Sequence, residues 1–149
     1  MLFWVLLALT LILFVGFLWG QPKNLRLARQ AMVTLEEIFT PQDVEYTWLG
    51  GVLGFKALYR RSARIPEFLV TLLLLPRHTW LYMPFAYLRA KGDRLLFAFP
   101  RTSTTERVPP ALPNLRQKIL PDRVVLELRI RWPTLRSDLQ EIARWLASS

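Results

Sequence analysis

His78 is the chain's one histidine and the only side chain whose ordinary titration falls near neutral pH. It follows Arg77 and precedes the aromatic run TWLYMPFAYLR of residues 79–89. An arginine, a histidine and a helix N-terminus together could hold a lipid phosphate. The commoner fate of a lone histidine here is a hydrogen bond to a neighbour. In the run itself, Trp80, Tyr82, Phe85 and Tyr87 crowd together, with Arg77, Arg89, Lys91 and Arg94 bracketing them. Aromatic rings with polar tips favour a membrane–water interface, so one expectation is a segment that dips into head groups or docks on a partner. Aromatics at helical spacing are more often core, and the first expectation is therefore a helix, bent at Pro84, packed on a sheet.

Other chemistries find little purchase. With no cysteine, disulfides, thiolate nucleophiles and thiolate metal sites are excluded. One histidine without cysteine makes a structural zinc site improbable, and no metal or cofactor site is expected. No pair of acids has metal-ligand or glycosidase-like spacing, and no serine lies in a nucleophile elbow. Gly50, Gly51 and Gly54 match neither phosphate-loop pattern, and no helix follows them.

The elements that would carry these residues begin with residues 1–20, MLFWVLLALTLILFVGFLWG. Residues 2–19 hold no charge and, as a helix, span about 27 Å, close to a hydrocarbon core of about 30 Å. Trp4 and Trp19 sit near the two ends, as interfacial aromatics do. Bulky residues replace the small ones that a signal-peptide cleavage site needs, so an uncleaved transmembrane anchor is expected. Lys23, Arg26 and Arg29 follow the run. By the positive-inside rule they put residues 21–149 in the cytoplasm. All the charges, Lys+Arg 20 against Asp+Glu 11, fall in that second part, giving it a net +9. Such a domain seeks an anionic neighbour. Arg60, Arg61 and Arg64 add a further basic group to Lys23, Arg26 and Arg29.

Residues 24–39 predict a helix with Asn24 as N-cap and Pro22 as a bend or start. Residues 44–49 and 52–61 predict a hairpin through Gly50-Gly51, with Gly54 marking a bulge or a close backbone approach. Residues 67–75, EFLVTLLLL, are apolar almost throughout, which suits a central strand with both faces covered. Residues 94–99 and 124–132 alternate as amphipathic strands. Residues 100–113 form a proline-punctuated loop, and 115–120 either a helical turn or an edge strand. A last helix, capped by Thr134 or Ser137, runs to about residue 147. The expected fold is α+β: a transmembrane helix, then one mostly antiparallel sheet of about five strands with helices packed on one face.

The function expected from these features is that of a single-pass, membrane-anchored, non-enzymatic accessory, scaffold or assembly protein. Its basic domain would bind a membrane-protein partner or anionic lipid at the cytoplasmic surface. A small membrane-tethered enzyme using Arg77 and His78 on a lipid or anionic substrate is the alternative. Nucleic acid is the third candidate, although no RNP, KH or helix-turn-helix signature is present.

Overall fold

Alternation and apolar periodicity resolve, among the described residues, into six strands and three α-helices in a computed structural model. It describes the chain except residues 51, 63, 64, 80, 103, 104 and 149, and the side chains of 61, 62, 65 and 66. The apolar run does not stop where a separate helix was expected to start. One helix, α1 (Leu2–Phe39), continues through Pro22 for 38 residues. Proline removes one backbone donor, here the bond to the Leu18 carbonyl, and apolar helices tolerate that loss. Asn24 is therefore not an N-cap, and its side chain is free to bond elsewhere. Phe39 is followed by Thr40 in the left-handed conformation, whose N–H closes the helix on the Glu36 carbonyl.

The strands are β1 (Asp43–Trp48), β2 (Gly54–Ser62), β3 (Ile65–Leu73), β4 (Arg94–Pro100), β5 (Leu115–Ile119) and β6 (Arg123–Arg129). They form one antiparallel sheet in the order β1-β2-β3-β4-β6-β5. This is the α+β architecture expected, with six strands where about five were read. The added strand is β5, whose LRQKI sequence holds too few apolar residues to mark it without its partner β6. Gly54, at φ 142°, lies so close to β3 that a Cβ there would sit 1.9 Å from the Leu72 carbonyl oxygen. That is the close approach its position in a strand implied.

One face of the sheet is sealed. Phe55, Tyr59, Phe68, Leu72, Phe97 and Leu126 are buried there against Ala28, Ala31 and Leu35 of α1 and Leu139 and Ile142 of α3 (Leu135–Ala147). Among the described residues no helix covers the centre of the other face, and α2 (Met83–Ala90), between β3 and β4, lies at one end. α1 runs along β3 in the opposite sense: Asn24 bonds the Leu75 carbonyl just beyond the end of β3, and the Phe39 ring meets that of Phe68 near its start. The end of the sheet beside the apolar run, termed the anchor end for its place alone, is formed by the ends of β1, β3 and β6 and the starts of β2, β4 and β5.

Candidate functional site

Leu75, Pro76 and Arg77 leave β3 and turn back alongside the last apolar turns of α1. Gly16 and Gly20 of α1 are both buried. A Cβ on Gly20 would lie 2.3 Å from the Arg77 carbonyl oxygen and 2.4 Å from the His78 nitrogen. Only glycine allows two backbones to meet this closely. The Phe17 ring meets the His78 ring edge-on, with centroids 6.2 Å apart. This small-residue face of the helix is covered by its own chain.

Below that contact sits a polar knot. Asp93 is 4% exposed and accepts four hydrogen bonds through its carboxylate. The Leu75 N–H (2.8 Å) and one Arg77 nitrogen (3.0 Å) donate to Oδ1; the other Arg77 nitrogen (2.6 Å) and the Trp132 indole N–H (2.8 Å) donate to Oδ2. Arg77 also donates to Asn24 Oδ1 at 2.9 Å. Asn24 Nδ2 donates to the carbonyls of Val52 and Leu75 at 3.0 and 2.8 Å. A buried charge survives when paired and hydrogen-bonded. Here α1, the β1–β2 connection, β3, the start of β4 and the residues after β6 are tied through one arginine–aspartate pair.

The knot settles where the sequence candidates go. The Arg77 guanidinium is taken up by Asp93 and Asn24. His78 Nδ1 is buried with no hydrogen-bond partner among the described residues. The hydrogen bond expected of its ring is therefore not made through that nitrogen; its neighbour is Phe17. Asn24, Asp93 and Trp132 were not singled out as a site. Asp93 reads only as half of a Gly-Asp turn, the one acid among Arg89, Lys91 and Arg94.

The aromatic segment departs from the first expectation. The helix begins at Met83, with Pro84 in its first turn rather than at a bend. Ala86 is its only buried residue, and its aromatics do not pack on the sheet. Phe85 is 69% exposed and Leu88 73%, and Leu81, Tyr82 and Tyr87 are also exposed. Trp80 lies outside the described residues. Arg89 and Lys91 are exposed at the helix C-terminus, where cations suit the helix dipole. A cleft of about 260 Å³ separates α2 from the end of β3 and is lined by Leu73, Leu75, Ala86 and Arg89.

The basic residues divide into two groups. Lys23, Arg26 and Arg29 are exposed on α1 near the anchor end. Arg60 lies toward the opposite end of β2, where it pairs with Asp43 and Glu45, both at 3.2 Å. Arg64 and the Arg61 side chain lie outside the described residues. At that far end Tyr46 donates to Glu36 at 2.5 Å and its hydroxyl lies 3.3 Å from that of Tyr59. Burial pushes the Tyr59 hydroxyl up to about 12, and burial with the Glu36 contact pushes Tyr46 higher. Both stay protonated at neutral pH and hold structure.

Fold and site define an antiparallel α+β domain borne on one helix that is, by length and composition, able to cross a membrane. Set against known proteins, the chain matches no family model and no curated protein.

Proposed function

We propose that this is a single-pass, membrane-anchored, non-enzymatic accessory protein. Its basic domain rests on the cytoplasmic surface of the bilayer, with residues 79–91 as the contact to anionic lipid or to a membrane-protein partner. The observation that carries the reading is the placement of α2. Its exposed Phe85 and Leu88 follow a loop whose backbone touches Gly20, at the end of the apolar run. From Gly20 back to Gly16 is about 6 Å along a helix, and amphipathic segments enter the head-group layer by about 5–10 Å. Arg89 and Lys91 on this segment, with Lys23, Arg26 and Arg29 on α1, would each gain about 1 kcal/mol beside anionic head groups. The enzyme alternative loses its arginine, since Arg77 is committed to Asp93 and Asn24.

The absence of native cysteine makes a direct test simple. The full chain carrying Phe85→Cys or, as reference, Lys56→Cys is spin-labelled and placed in anionic vesicles. The label at 85 should collide with dissolved oxygen far more than with a water-soluble nickel complex, and the label at 56 should do the reverse. Equal, water-like accessibility at both positions sinks the lipid contact, and failure of the full chain to co-purify any membrane protein through residues 79–91 as well sinks the reading.

A further inference from the structure

The sequence of β3 calls for cover on both faces, and this chain seals only one. At the anchor end α2 approaches the other face, and it does so with its smallest side chain. Ala86, Arg89 and Ala90 form one wall of the cleft of about 260 Å³, and Leu73, Leu75 and Pro76 form the other. Leu75 and Ala86 are buried, yet both lie outside the core that α1 and α3 seal. Leu73, 40% exposed, lines the same gap. A leucine at position 86 would close much of the space that the alanine leaves. Apolar walls that face each other across a gap forgo the contacts that close packing gives. Phe85 and Leu88 lie on a neighbouring face of α2 and do not line the cleft. Its polar groups are few. The Arg94 guanidinium is committed to the carbonyls of Arg89 and Ala90 and to Glu127. Arg89 is exposed at the rim and has no ion-pair partner among the described residues, and Lys91 follows it. Pro76 is one residue from the Arg77 backbone that presses on Gly20, where the apolar run of α1 ends.

We propose that this cleft takes one acyl chain of an anionic phospholipid, whose phosphate is held by Arg89 and Lys91. The inference rests on the reading that sets α2 at the bilayer surface. Pockets that enclose a whole small-molecule ligand measure about 300–1,000 Å³, so this one suits a single slender chain. A water-soluble ligand would find too few groups to hydrogen-bond. For a lipid the balance is different. Its chain passes from one hydrocarbon setting to another and has no hydrophobic gain of its own. The gain comes from the walls, because Leu73, Leu75 and Ala86 lose their contact with water when the chain lies between them. The head group stays at the surface and meets the two cations at the end of α2. A zwitterionic lipid would have the first contribution and little of the second, which sets the preference for negative charge. A chain seated there fills the space beside Ala86 and ties α2 to the end of β3.

The test uses the full chain in mild detergent with equal amounts of phosphatidylglycerol and phosphatidylcholine of matched chains. Retained lipid is counted by native mass spectrometry. The wild type should hold one phosphatidylglycerol in preference to phosphatidylcholine. Leu73→Trp brings a large ring into the cleft from a part-exposed position and should abolish retention, whereas Leu73→Ala should keep it. Arg89→Gln should lower the preference for phosphatidylglycerol about fivefold. Circular dichroism checks that each variant is folded, and opposite outcomes for tryptophan and alanine at one position are not what general damage gives. A wild type that retains no lipid overturns the proposal. So does retention that Leu73→Trp leaves unchanged, which would mean lipid held adventitiously by the anchor, and so does equal retention of the two lipids. The label at Phe85→Cys in anionic vesicles reads the membrane contact independently. Lipid-like accessibility there with no retained lipid sinks the cleft and leaves the membrane reading standing, while water-like accessibility sinks the lipid contact and the cleft with it.

Discussion

At the anchor end of the sheet, the junction of Asn24, Arg77, Asp93 and Trp132 buries polar groups, while α2 beside it exposes apolar ones. Each inverts the usual preference. The junction bears the cost of desolvating an ion pair and satisfies it with hydrogen bonds to Asn24, Leu75 and Trp132. α2 leaves Phe85 and Leu88 in solvent when a neighbouring core is available. The difference separates a part that fixes the helix relative to the sheet from a part held out for something else. Rigidity in the first makes the position of the second definite, since Arg77 and Asp93 of the junction flank the segment that holds α2.

The sharpest way to break this contrast is Asp93→Ala. It strands the Arg77 guanidinium, the Leu75 N–H and the Trp132 indole in a buried site. Removing one partner of a buried pair costs about 3–5 kcal/mol. Chemical denaturation in detergent, followed by circular dichroism, should show a loss of that size. A loss below about 1 kcal/mol would mean that the junction is wetter and looser than its geometry. Next in size is Gly20→Ala, which places a methyl group against the backbone of Arg77 and His78. Neither backbone can step aside as a side chain would, and overpacking of this kind costs about 1–3 kcal/mol. Gly92→Ala makes an instructive comparison: the added Cβ would meet nothing nearer than Arg129 Cγ at 4.0 Å, and only the φ of 124° resists it.

A third test contrasts the two ends of the sheet. The Tyr59 hydroxyl ionises near pH 10 in an unfolded chain and at about 12 in the fold. The folded state therefore prefers the protonated form. This contribution is complete below pH 10 and is lost as pH rises from 10 through 12, on the order of 2 kcal/mol. Denaturation midpoints should hold level to about pH 9.5 and then fall, and Tyr59→Phe should make the fall shallower, with Tyr46 supplying what remains. An unchanged slope in that variant would place the alkaline transition elsewhere.

How much of this was legible follows from where the information lies. β4 and β6 are readable because Leu95, Phe97 and Phe99, and Val124, Leu126 and Leu128, carry the period of the sheet within themselves. The continuity of α1 was not, because Pro22 is a breaker by rule and its tolerance depends on surroundings. The junction was invisible: Asn24, Arg77, Asp93 and Trp132 are scattered along the chain, and no local pattern names one as the partner of another. The aromatic segment was half legible. Spacing shows that residues 80–87 are rich in large rings, but not whether anything packs on them. Buried and exposed aromatics look alike until the neighbouring elements are in place.

The smallest expected effect on stability is the most telling for α2. Phe85→Ser and Leu88→Ser remove side chains that touch little, so denaturation should shift by no more than about 0.5 kcal/mol for either. On membrane contact the same changes should be large. Burying a Phe or Leu side chain in an apolar phase is worth about 1.5–3 kcal/mol, which corresponds to about tenfold or more in partition for each residue lost. The comparison is best made with the full chain in anionic vesicles, using a spin label at Tyr87→Cys as depth reporter. The double serine variant should move that label from the interface into water while leaving the denaturation midpoint where it was. If instead the fold weakens by several kcal/mol, then Phe85 and Leu88 belong to the core and the contrast with the junction dissolves. If neither stability nor depth changes, Phe85 and Leu88 do not hold α2 at the interface, and the arginine and lysine at its C-terminus become the residues to exchange next.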